Sequence, residues 1–237
     1  MHEHNMSKHM LADNIGFVEL LDTFGDDLTV VNAARVSFDK ESHALTRADE
    51  RLITYLADHN HNSPFFHPQA RFRIKMPLFV AREWYRHTVG FARNEVSRRY
   101  VDSPPECWIP PSIRERDPRA KQGSKATAVE EEDTARALMQ CTTEASLSAY
   151  QALLAQGVAP EIARTILPQS MYTEFIETAS LAGYARLCGL RLGPDAQREI
   201  QAYAGAVSHA LESAFPASWK ALKPKEHQAA SSPSTSA

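Results

Sequence analysis

Residues 69–76, "QARFRIKM", alternate without a fault: Ala70, Phe72, Ile74 and Met76 fall on one face, and Gln69, Arg71, Arg73 and Lys75 on the other. A period of two is that of a β-strand with one face buried, and the clean apolar-in, polar-out split points to antiparallel pairing. Such a strand needs sheet neighbours and a cover for its apolar face. "GFVELLDTFG" (16–25) and "MYTEFIET" (171–178) read as further strands.

The remaining segments supply helices. Asp26 or Asp27 can cap a short one over 28–35. "TRADERLITYLADHN" has a helical stripe of Leu52, Ile53 and Leu56 behind a capping box of Thr46 and Asp49. "HNHNSPFFHP" is a loop by its Asn, Ser and Pro content. Pro77 suits the first position of a helix over about 78–88, which would set Arg82 with Arg86 and Glu83 with His87 at i,i+4. From Gly90 a loop is expected to carry Asn94, Glu95, Ser97 and Arg99. "SPPECWIPPS" reads as extended, and "RERDPRAKQGSKA" as a polar loop. The longest helical pattern runs over about 128–156 and ends at Gly157. A short helix starts at Pro160, and two amphipathic helices follow, "ASLAGYARLCGL" and one opened by Pro194. The order is that of an α+β chain. Residues 1–12 read as a flexible tail, 13–222 as one domain, and 223–237 as disordered.

The chain has 237 residues, 43% hydrophobic and 23% charged, enough for one sizeable core. No run approaches the roughly 18 apolar residues of a membrane span, and no apolar stretch of the signal-peptide kind opens the chain. Cys107, Cys141 and Cys188 are scattered, odd in number and without a CxxC, so a reducing cytoplasm is the expectation. A net charge of -3 gives no support for nucleic-acid binding. His59, His61, His67 and His87 come with no HExxH or CxxC, and no metal site is expected. Nor is there a GxGxxG, a GxxxxGK[ST] or a GxSxG.

What stands out is "EWYRHTVGFARNEVSRRY" (83–100). No lysine occurs between Lys75 and Lys121, yet Arg82, Arg86, Arg93, Arg98 and Arg99 crowd together. Arginine in preference to lysine suits forked recognition of phosphate, carboxylate or a base edge. Ser97 and Arg99 can meet phosphate oxygens, while Asn94 and Glu95 can read an amide-like edge such as a uracil or a flavin ring. Arg164 in "IARTILP" and Arg191 in "CGLRLGP" stand in apolar surroundings, where an arginine is costly unless paired. Each can pair with a bound anion or with a protein carboxylate such as Glu161 or Glu199.

"RHTVGFARNEVSRRY" resembles the signature of the flavin-dependent thymidylate synthases: Arg-His-Arg, seven or eight residues, then Ser-x-Arg. Here Arg86-His87-Thr88 precede Ser97-Arg98-Arg99 by eight residues, with Asn94-Glu95 before the serine and Tyr100 after the last arginine. "AARVSF", "HNHNSPF", "MPLFVAREWYRH", "ARTILP", "YTEF" and "LRL" follow the family's order, so the resemblance spans about 16–215. It implies a single α+β domain of the thymidylate synthase-complementing type, a curved and mostly antiparallel sheet with packed helices. It also implies a homotetramer with sites shared between subunits. The implied reaction is reductive methylation of dUMP to dTMP, with methylenetetrahydrofolate as carbon donor, NADPH as reductant, FAD carrying the hydride, and no cysteine nucleophile.

The same resemblance distributes roles. Arg191 is implied as the catalytic arginine held against the uracil ring. Glu83, Arg86, Glu95, Val96, Ser97, Arg98, Arg99 and Arg164 are implied on the dUMP side. Ser37, His61, Ser63, Arg86, His87, Thr88, Asn94, Glu95, Ser180 and Arg186 are implied on the FAD side. Thr88 stands where the motif has its second arginine, which removes a charge that would face the FAD pyrophosphate. Glu83 replaces a frequent glutamine, and Phe66 and Ser180 replace polar residues near the flavin.

Overall fold

The computed structural model describes residues 8–118 and 123–223. The alternating segment is strand β3 (Gln69–Pro77), and Ala70, Phe72, Ile74 and Met76 are all fully buried. Its other face meets neighbouring carboxylates: Arg71 bonds Asp22 at 3.0 Å, Arg73 bonds Glu174 at 2.5 Å, and Lys75 pairs with Glu106. β3 lies in the middle of a five-stranded sheet with β1 (Lys8–Met10), β2 (Phe17–Phe24), β7 (Tyr172–Ser180) and β4 (Phe91–Glu95). The order is β1-β2-β3-β7-β4, every pairing is antiparallel, and the sheet does not close.

Helices α3 (Leu78–Trp84), α6 (Leu181–Arg191), α7 (Arg198–Ala214) and α8 (Pro216–Leu222) cover the apolar face, joining Trp84, Leu181, Tyr184, Leu187, Tyr203, Leu211 and Trp219 to the strand residues. Each large apolar side chain buried there contributes about 1.5–3 kcal/mol relative to exposure. A smaller cluster of Val30, Val31, Ile53, Leu56 and Phe65 lies between α1 (Asp27–Arg35), α2 (Arg47–Asp58) and the 3-10 turn Ser63–Phe66. Of the two candidate caps of α1 it is Asp26 that serves, accepting from Thr29 N at 2.9 Å, and the expected capping box of α2 forms, with Thr46 N donating to Asp49 Oδ2 at 2.9 Å. Gly25, at φ 76, makes the turn out of β2, where a Cβ would sit 2.7 Å from Thr29 Oγ1.

Several elements differ from the sequence expectation. Lys8–Met10, placed in a flexible tail, is an edge strand on β2; its three residues are too few to carry a period. Leu11, in the same proposed tail, is buried in the main core, while 1–7 and 224–237 lie outside the described residues. "RERDPRAKQGSKA" contains an antiparallel pair, β5 (Arg114–Arg116) and β6 (Ser124–Ala128), held by Arg114–Ser124 and Lys125–Glu115 contacts that composition conceals. The long helix α4 therefore starts later, at Glu132 (Glu132–Ala155). "PEIARTIL" splits into α5 (Pro160–Ala163) and a 3-10 turn, Arg164–Ile166. α7 begins at Arg198 rather than Pro194, because Ala196 N bonds back to Gly193 O in a turn. α3 stops at Trp84, and β4 replaces the loop expected after Gly90. Among the described residues no helix is long and apolar enough to cross a membrane.

Candidate active site

The early end of α3 makes the site. Residues 85–90 form a turn between α3 and β4, closed by His87 N to Trp84 O and Phe91 N to Thr88 O, with Gly90 at φ 78. Arg86, His87 and Thr88 thereby leave the helix and face a cleft of about 1320 Å³. α6 contributes Arg186 and Arg191 from the opposite side, and Glu83 comes from the last turn of α3. The sequence had assigned all six to the site.

Arg191 is the best-held of them. Its Nε donates to His87 Nε2 at 3.0 Å, its Nη1 to Glu83 Oε2 at 3.3 Å, and its Nη2 to the Glu83 carbonyl at 2.9 Å. Its partner is therefore Glu83 and neither Glu161 nor Glu199. Glu161 lies 3.6 Å from Arg99, and Glu199 pairs with Arg114 at 2.8 Å. One N–H on each of Nη1 and Nη2 remains for a ligand. His87 must accept at Nε2, so its proton sits on Nδ1. Burial, and then the charge of Arg191 followed by Arg93, Arg186 and Arg86, lower its pKa to about 4. The imidazole is neutral at neutral pH and can serve as that acceptor.

Arg86 and Arg186 are exposed, with no hydrogen bond or ion pair on either guanidinium among the described residues. Two free guanidiniums in a wide cleft suit a large anionic group. A flavin dinucleotide fits that donor set, with Arg86 and Arg186 able to meet its phosphates or ring edge.

Other assigned residues sit elsewhere. Ser97, Arg98, Arg99 and Arg164 do not line the cleft. Ser97 Oγ accepts from Arg99 N at 3.3 Å, and Arg98 turns to the Ser103 carbonyl at 2.5 Å. Arg164 is exposed on its 3-10 turn and not in the apolar setting its neighbours suggested, since Ile162 and Ile166 are themselves exposed. Asn94, Glu95 and Val96 lie on or just past β4; Glu95 accepts from Thr173 Oγ1 at 2.5 Å, and Val96 N donates to Glu174 O. Ser180 is buried and caps α6 through Gly183 N at 3.2 Å. Ser37, His61 and Ser63 are exposed near α1 and α2, also outside the cleft.

The cleft also holds residues the sequence reading passed over: Arg114 from β5, and Asp195, Gln197, Arg198 and Gln201 around the start of α7. Arg114 was hidden in a segment read as loop. A buried carboxylate, Glu177, was legible as an anomaly, since it falls in phase with Phe175 and Ala179 on the apolar face of β7.

Comparison with known proteins gives the family. The thymidylate synthase complementing protein family matches residues 19–217. The flavin-dependent thymidylate synthase of Thermus thermophilus is 41% identical over 208 residues, covering 88% of this chain and 76% of that protein. That of Thermosipho africanus is 39% identical over 210 residues, covering 87% and 90%. A crystal structure of the UMP/dUMP methylase PolB from Streptomyces cacaoi, bound with 5-Br dUMP, superposes with a TM-score of 0.78 at 29% identity, covering 86% of this chain and 93% of that one. On the arginine cleft, the open antiparallel sheet and these matches together, the chain belongs to the thymidylate synthase complementing family, that of the flavin-dependent thymidylate synthases.

Proposed function

We propose that the chain methylates dUMP to dTMP, using methylenetetrahydrofolate as carbon donor and NADPH as reductant. The observation that carries the reading is Arg191, fixed by His87 and Glu83 with N–H groups left over for a ligand. A uracil ring offers a carbonyl beside N3, and loss of the N3 proton leaves an anion. A guanidinium already oriented there stabilises that charge without reorganising, and so favours the ionised, more nucleophilic pyrimidine. His87 contributes by staying neutral: protonated, it could no longer accept from Arg191. FAD, held by Arg86, His87, Thr88 and Arg186, supplies the hydride chemistry when bound. Thr88 can offer a hydroxyl there but no charge, so Arg86 and Arg186 carry the electrostatic share.

Ser97, Arg99 and Arg164 are proposed to hold the nucleotide phosphate, and Ser37, His61 and Ser63 to meet the flavin. Neither group lines the cleft of its own chain. Shared sites in a homotetramer reconcile this, with one subunit's cleft completed by residues of others. Two surfaces support the assembly. Val36 and Phe38, flanking Ser37, are 72% and 75% exposed. The 24-residue α4 has a single buried residue, Tyr150.

The test is dTMP formation followed by chromatography, with FAD, NADPH and methylenetetrahydrofolate omitted one at a time. Product that requires all three supports the reading, and product formed without FAD contradicts it. UMP in place of dUMP belongs in the same series, because the structural relative acts on both nucleotides.

A further inference from the structure

We propose that Glu177 is a positioning residue: acting through Arg93, it holds the turn that carries His87 and so aims Arg191 into the cleft. The inference rests on the role given to Arg191 above.

The contacts form one continuous chain. Glu177 is fully buried on β7. Both its carboxylate oxygens accept from Trp84 Nε1 at 3.1 Å, and Oε2 accepts from Arg93 Nε at 2.6 Å. Arg93 sits directly opposite Glu177 in the β4–β7 register. Its Nη1 donates to the His87 carbonyl at 2.6 Å, and the His87 ring accepts from Arg191. Trp84 ends α3 and Arg93 lies in β4, so a single carboxylate grips both flanks of the turn 85–90. None of Glu177, Arg93 and Trp84 lines the cleft, so they act on it only through the turn.

A buried ion pair is a poor way to stabilise a sheet. Desolvation of two charges offsets much of their attraction, and apolar residues of like volume serve as well. Burial pushes the Glu177 carboxyl pKa up, against the pull of Arg93. What an apolar pair cannot do is donate to the His87 carbonyl. The planar guanidinium does both tasks at once, Nε to the carboxylate and Nη1 to the carbonyl, and a lysine cannot reproduce that fork.

The test uses the full chain labelled with ¹³C at histidine Cε1, the His87 signal being assigned by its loss in His87→Gln. In the wild type the ring should titrate near pH 4, set by burial and by the facing Arg191, Arg93, Arg186 and Arg86. Arg93→Lys keeps the ion pair but breaks the fork. The freed turn lets water reach the ring, so the midpoint should rise by about one pH unit or more toward the ordinary value. Turnover should fall about tenfold or more while the dUMP dissociation constant stays within about threefold. The double variant Glu177→Leu, Arg93→Met restores an apolar sheet contact without the link, and should be folded yet show the same fall in turnover. A midpoint unmoved in Arg93→Lys, where the charge that lowers the ring's pKa is kept, would overturn the proposal. A wild-type chain without turnover would instead overturn the proposed reaction, and the His87 midpoint alone would then decide the positioning role.

Discussion

Arg191 and His87 form a pair in which neither residue works without the other's state. The guanidinium needs an acceptor on its Nε side, and the neutral imidazole is that acceptor. Removing the arginine takes away the guanidinium proposed to face a developing pyrimidine anion. Arg191→Ala should therefore fold as the wild type and lose about 10²–10³-fold in turnover, checked by steady-state kinetics beside a circular dichroism spectrum. His87 also leaves a trace in stability. Its folded pKa, about 4, lies below its ordinary 6.5, so the unfolded chain binds the proton more readily. That contribution is whole above about pH 6.5 and is lost as pH falls through about 4. Urea midpoints measured across that window should fall less steeply with acid in His87→Gln than in the wild type. Ser97→Ala should weaken dUMP binding more than flavin reduction, and the reverse ordering in titrations would contradict its assignment.

At the level of elements, legibility followed chemistry that repeats or caps. β3 was readable because each apolar residue returns after two positions, and α2 because Thr46 and Asp49 announce its start. Thr46→Ala should cost about 1 kcal/mol and lower Tm by about 2–4 °C in a thermal melt. β4 was not readable. "FARNE" carries one large apolar residue, and what makes it a strand is its backbone pairing with β7, where Arg93 meets Glu177, a contact 84 residues away in sequence. α3 ends early because Glu83 O, which would accept from His87 N in a continuing helix, accepts from Arg191 Nη2, and His87 N turns to Trp84 O. The hairpin β5–β6 escaped notice for a like reason: its polar side chains bond one another and Glu199, with no apolar face to betray them. The cleft residues from α3, the turn after it and α6 were legible through the family resemblance, while Arg114 and Arg198 came into the cleft only with the fold.

The described residues form one open five-stranded sheet with helices on its apolar face and a separate β5–β6 hairpin, and they leave apolar side chains uncovered around Ser37. If those side chains meet other subunits, a charge there should undo the assembly. Phe38→Asp should shift the chain from the proposed tetramer toward smaller species in sedimentation velocity, and flavin retention on a desalting column should fall with it. A tetramer that survives with full flavin would contradict the shared-site account. The central claim is that the Arg191 cleft activates dUMP. Its most direct test is tritium release from dUMP labelled at C5, with FAD, NADPH and methylenetetrahydrofolate present, in wild type and Arg191→Ala. Release by the wild type that depends on FAD, and that falls by about 10²-fold or more in Arg191→Ala, is the expected result. No release by folded wild type, or equal release by both, would contradict it.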